Sequence, residues 1–179
     1  MKKKLFLISY GAGHISMIAS LYGQFSKDNK VKLTVLALSI AKNHLKKLNI
    51  PHKTLANYSQ LIMNGDAYRY GKKLADRWHV DSTGITYNES VVYLGASMRD
   101  LVNERGESVA FNLIEKKGRQ IFLPIWTMQQ VIEFEKPDLI IATNTPRMER
   151  ASIIVGNRKN IPTLNLHDDL GFMGRDYIL

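Results

Sequence analysis

Residues 4–25, KLFLISYGAGHISMIASLYGQF, decide the class of fold. Lys4 to Ser9 is a short apolar run, and Gly11 and Gly13 interrupt whatever follows it. Beyond them Ile15, Ile18, Ala19, Tyr22 and Phe25 recur at the spacing of one helix face. A strand, a glycine loop and a helix in that order open an α/β unit. The rhythm continues outward. VKLTVLALS (31–39) reads as a second strand, AKNHLKKLN (41–49) as a short basic helix with Leu45 and Leu48 turned inward, and Ile50 to Leu55 as a brief third strand. Strands alternating with helices predict a doubly wound, Rossmann-like parallel sheet with helices on both faces.

From about residue 58 to 135 the pattern changes to a helical excursion. SVVYLGASMRDLVNE (90–104) and SVAFNLIEKK (108–117) carry helical periodicity and stop near Gly106 and Gly118. DSTGITYN (81–88) reads as a loop whose Asn88 caps the next helix. IFLPIWTMQQVIEFEK (121–136) reads as a further helix with Pro124 in its first turn and a core-facing apolar stripe. The α/β rhythm then resumes: PDLIIAT (137–143) is a buried strand, PRMERASIIVGNRKN (146–160) a helix begun by Pro146, and IPTLNLHDDLG (161–171) a last strand running into a polar loop. Neither an internal repeat nor a linker divides the 179 residues, so a single domain spanning 1–179 is expected.

Composition narrows the classes of function. With no cysteine there is no disulfide, thiolate metal site or cysteine nucleophile, and the cytoplasm is the expected compartment. The N-terminal lysines precede only Leu5 to Ile8, too short an apolar run for a signal peptide, and no window approaches 18 apolar residues. The formal net charge is +9, and residues 1–60 carry all of the excess, with ten lysines against Asp28 alone. One-signed charge favours anionic partners: a phosphorylated small molecule or an anionic membrane surface. Nucleic acid is set aside, because no zinc-finger spacing, RNP-like strand or heptad-bearing basic helix accompanies the lysines. His44, His52 and His79 lack partners at metal-ligand spacing, so neither a metal nor a cofactor is expected.

Ligands of doubly wound sheets bind outside the carboxyl ends of the strands. Three polar loops follow strands here: Tyr10 to His14, Thr143 to Arg147, and His167 to Asp169. In the first, Gly11, Ala12 and Gly13 precede a helix whose free N–H groups suit a phosphate. The loop is no dinucleotide fingerprint, since Ser16 replaces the third glycine and the second strand ends at Ser39 without an acid; nor does it have the spacing of a P-loop. His14 could take a proton from a hydroxyl nucleophile, or it could buttress the start of the helix. The residues leave both roles open.

GAGH (11–14), PDLIIATNTP (137–146) and IPTLNLHDD (161–169) stand in the order seen in N-terminal domains of GT-B glycosyltransferases, and the chain most resembles the peptidoglycan N-acetylglucosaminyltransferase family. The resemblance implies an acceptor-binding domain of a polysaccharide-building enzyme. A C-terminal domain or a partner subunit would hold the nucleotide-sugar donor, and a sugar or lipid-linked acceptor would bind here, at the inner face of the membrane. Gly13 and His14 match the family's first loop, and His167 and Asp168 match the loop after its Ile-Pro strand. His14 and Asp168 become the catalytic candidates, and Asn144, Thr145, Arg147, His167 and Asp169 the acceptor-binding ones. Thr143 and Asn144 stand where related enzymes with a His–Asp pair place the acid, so either Asn144 or Asp168 would orient the imidazole. With no second domain before Leu179, the chain is expected to be half of an enzyme. The rivals are a nucleotide-sugar epimerase of the same superfamily and a non-enzymatic Rossmann-like binding subunit.

Overall fold

Alternation along the first strand builds two layers at once. In β1 (Lys3–Ser9), Leu5 and Leu7 join a core with Ile15 and Ile18, while Phe6 and Ile8 face the opposite way into a second, larger core. The structure is a computed structural model and describes residues 2–11, 13–143 and 146–166. Its further strands are β2 (Val31–Ala37), β3 (Leu139–Thr143) and β4 (Thr163–Leu166). The sheet runs β2-β1-β3-β4 with every pairing parallel, so the expected α/β, Rossmann-like architecture is present. Because the chain moves outward from β1 to β2 and returns to place β3 on the other side, the switch point lies between β1 and β3.

Helices α1 (His14–Phe25) and α2 (Ala41–Lys47) cover one face, supplying Ile15, Ile18, Ala41 and Leu45 to the smaller core. The other face carries the helical excursion: α3 (Ser59–Ile62), α4 (Ala67–Trp78), α5 (Tyr87–Arg105), α6 (Glu107–Lys117) and α7 (Ile125–Glu135), joined by α8 (Met148–Arg158). Among the described residues no helix is long and apolar enough to cross a membrane.

Several local expectations are corrected. Ile50 to Leu55 is not a strand: Lys53 alone bridges to Leu36, through Lys53 N–H to Val35 O and Ala37 N–H to Lys53 O, both 2.8 Å. Pro51 has no N–H to extend a ladder, and a 3₁₀ turn capped by Thr54 begins at Leu55. Leu48 is exposed, because α2 ends at Lys47, and of the two leucines Leu45 is the one that reaches the core. The cap of α5 is Thr86 rather than Asn88. Thr86 Oγ1 accepts from Glu89 N–H while Glu89 reaches back to Thr86 N–H, which closes a reciprocal capping box. Pro124 occupies the position before α7, and α8 begins at Met148, after Pro146 and Arg147. The lysines of the first third are partly spent within the fold, since Lys3, Lys42 and Lys53 pair with Asp138, Glu89 and Glu135.

Glu135 anchors the Lys53 segment. Its carboxylate accepts from Lys53 Nζ at 2.6 Å, Tyr58 OH at 2.7 Å and Thr34 Oγ1 at 3.2 Å. Burial by itself would raise this carboxyl, but those hydrogen bonds outweigh it and hold it below its ordinary value. A depressed folded value means that the stabilisation is present above the unfolded value, roughly pH 4.3, and is lost as pH falls through the folded one. Glu135→Gln is therefore expected to cost about 1–3 kcal/mol at pH 7. Melting temperatures from pH 7 to 3 should show the gap to the unsubstituted chain narrowing with acid, and a constant gap would contradict the assignment.

Candidate ligand cavity at the carboxyl ends of the strands

The same period-two alternation that buries Phe6 and Ile8 carries Tyr10 onto the helical face of the sheet. There it and Leu38, just past β2, line a cavity of about 140 Å³. That is room for on the order of ten waters, or for one sugar ring. Trp78 from the end of α4, and Glu89, Ser90 and Tyr93 from α5, supply the walls. Arg119, Arg147 and Ser39 line it as well. The Tyr10 and Tyr93 hydroxyls lie 3.1 Å apart, their rings meet edge to face at 6.4 Å, and burial pushes the Tyr10 phenol well above its ordinary range.

A buried polar ladder holds this end of the sheet from below. Glu149, in the first turn of α8 and only 1% exposed, accepts from Tyr10 N–H at 2.8 Å and from Thr143 Oγ1 at 3.1 Å. Ser9 Oγ lies 2.8 Å from Thr143 Oγ1 and donates to Tyr10 O at 2.8 Å. The ends of β1 and β3 are thus tied together at the switch point, which sets the position of Tyr10. Glu89 is also committed: Lys42 and the Thr86 cap hold its carboxyl below its ordinary value despite the opposing effect of burial.

Arg147 combines several unusual features. Its backbone sits at φ 47°, ψ −104°, a region that costs a non-glycine residue roughly 1–3 kcal/mol. Ser39, also in the lining, has positive φ as well, at 55°. The guanidinium of Arg147 lies 4.5 Å over the Tyr10 ring, and its buried Nε has no hydrogen-bond partner. Such strain at two lining residues is of the kind that gathers at ligand sites.

The chain matches no protein-family model and no curated protein.

Of the site residues expected from the sequence, the structure describes Gly11, Gly13, His14 and Arg147; Ala12, Asn144, Thr145, His167, Asp168 and Asp169 lie outside the described residues. Arg147 lines the cavity, whereas His14 opens α1, whose core residues pack on the other face of the sheet, and is not part of the lining. Gly11 is closely packed, since a Cβ there would sit 2.2 Å from Ile40 Cγ1 and 3.1 Å from Ala41 N, so the exposed Ile40 side chain would have to turn aside. Gly13 is helical at φ −58°, ψ −35°, and a Cβ there would meet nothing within 4 Å. Trp78, Tyr93, Arg119 and Glu149 were not legible as a group, because they come from four separate segments. Only Tyr10 carried a local signal, its alternation with Phe6 and Ile8.

Proposed function

We propose that this chain is the acceptor-side domain of a GT-B glycosyltransferase and that the cavity holds the sugar of the acceptor. The nucleotide-sugar donor would then be bound by a C-terminal domain or partner subunit. The observation that carries the reading is the clustering of Trp78, Tyr93 and Tyr10 around a space the size of one sugar ring, at the carboxyl ends of β1 and β2. Aromatic faces meet the C–H faces of a pyranose, while a few convergent polar groups select its hydroxyls. The Rossmann-like sheet supports the reading as the usual frame for such a site. A lipid-linked acceptor would place the domain on the cytoplasmic side of a membrane, where Lys2, Lys4, Lys30, Lys32, Lys46 and Lys47 present exposed charge.

Trp78 reports on this directly. In a Trp126→Phe background the fluorescence of Trp78 is expected to change on adding N-acetylglucosamine or glucose at millimolar concentration, and to stay unchanged with UDP. Trp78→Ala is expected to weaken sugar binding, followed by saturation-transfer NMR, at least about tenfold, a loss of about 1.4 kcal/mol. Tighter binding of UDP than of sugars would make the cavity a donor site and overturn the acceptor assignment.

A further inference from the structure

We propose that the cavity selects an acidic sugar and that Arg147, with Arg119, holds its carboxylate or phosphate. The inference rests on the sugar reading above and adds the charge that the sugar must carry.

The charge balance around the cavity points this way. Two cationic side chains, Arg119 and Arg147, and one acid, Glu89, border it. Glu89 is neutralised by Lys42 and engaged by its own helix cap, so it offers nothing to the arginines. Among the described residues no carboxylate oxygen lies within 4 Å of either guanidinium. Glu149 acts on Arg147 only at longer range, and its Oε1 is already taken by Tyr10 N–H and Thr143. Among the described residues the cavity is therefore bordered by two guanidiniums that no carboxylate contacts, against walls built largely from aromatic and aliphatic side chains.

Arg147 is also held ready for an anion. Its contact with Tyr10, 4.5 Å from the ring centre, holds the guanidinium at the cavity. A planar guanidinium suits a carboxylate or phosphate in two-point contact through its Nη groups, which a neutral hydroxyl cannot match in charge. Arg119 lies 5.9 Å from the Trp78 ring centre, so the second cation sits beside the aromatic wall assigned to the sugar ring. A ligand with a ring and an anionic substituent, such as a hexuronic acid or a hexose phosphate, meets both features at once.

The test compares four probes by saturation-transfer NMR titration: glucose, glucuronate, glucose 6-phosphate and inorganic phosphate. Glucuronate or glucose 6-phosphate is expected to bind at least about tenfold tighter than glucose, and which of the two wins identifies the anion. Arg147→Met should remove that advantage, Arg147→Lys should restore part of it, and Arg150→Met, exposed and outside the cavity, should leave it intact. If Arg147→Met does not fold, as judged by its melting curve, Arg119→Met carries the same expectation. Equal binding of glucose and both acids, unaffected by either arginine, overturns the inference and leaves the sugar reading standing. Inorganic phosphate binding as well as glucose 6-phosphate, with the same dependence on Arg147, upholds the anion site and overturns the sugar reading. Binding of none of the four overturns both.

Discussion

Arg99→Met is expected to destabilise the chain by about 3–5 kcal/mol, the usual consequence of leaving one partner of a buried ion pair behind. For a chain of this length that is a fall of roughly 6–20 °C in melting temperature. Arg99 is 6% exposed and fully engaged. Its Nη1 donates to Ile62 O at 2.6 Å and Asn64 Oδ1 at 2.5 Å, and its Nη2 to Asp100 Oδ1 at 2.6 Å and Thr127 Oγ1 at 3.0 Å. The guanidinium also lies 3.9 Å from the Trp126 ring centre. Asp100, itself buried, accepts from Thr127 N–H at 2.8 Å in the first turn of α7. One arginine thus ties the end of α3, the middle of α5 and the start of α7, and methionine in its place would strand the Asp100 carboxylate. Thermal denaturation of Arg99→Met, Asp100→Leu and the double variant checks this. The double variant should recover much of the loss, and a single-variant cost below about 1 kcal/mol would show that the network is not stabilising.

The second large effect is expected where α4 crosses α5. A Cβ at Gly71 would lie 2.2 Å from Val91 O, and one at Gly95 would lie 2.2 Å from Ala67 O. Both obstacles are backbone carbonyls, which cannot turn aside as a side chain can, so the two helices must separate. Gly71→Ala and Gly95→Ala are each expected to cost about 3 kcal/mol, the upper part of the usual range for overpacking. They act on one contact, so the double variant should lose less than the sum. Gly23→Ala is the control: the residue is exposed in α1, a Cβ there would meet nothing within 4 Å, and alanine should stabilise the helix by about 0.5–1 kcal/mol. The crossing also sets the spacing of Trp78 on α4 from Ser90 and Tyr93 on α5. Folded Gly71→Ala should therefore bind sugar more weakly than the unsubstituted chain, and unchanged binding would separate the cavity from this contact.

Local pattern carried much of the fold. Phe6 and Ile8 against Leu5 and Leu7 announce a strand buried on both faces, and Ile15 with Ile18 announces the helix beneath it, because period two and period 3.6 are properties of neighbouring residues. The pattern failed where context overrode it. Ile50 and Leu55 are both buried, which resembles a strand, yet Pro51 and the Thr54 cap leave Lys53 a single bridge. α4 escaped notice because Arg69, Lys72, Lys73, Asp76 and Arg77 surround its narrow stripe of Tyr70, Gly71, Leu74 and Ala75, and its mean hydropathy is low.

By itself, then, the sequence determined the class of fold, the four strands of the sheet with a false fifth at 50–55, most helices, and which polar residues follow the carboxyl end of the first strand. Each of these follows from residues close together in the chain. The tertiary structure decided which side chains meet there. It placed Arg147 over Tyr10 at the cavity and brought Trp78, Tyr93 and Arg119 there from distant segments, while His14 stands at the head of a helix whose core lies on the other face. It also showed that Glu89 and Glu149 are engaged elsewhere, by Lys42 and by Tyr10 N–H and Thr143. The physical reason is that a cavity's charge and shape are sums over segments separated by up to more than one hundred residues, and no short window of sequence contains that sum.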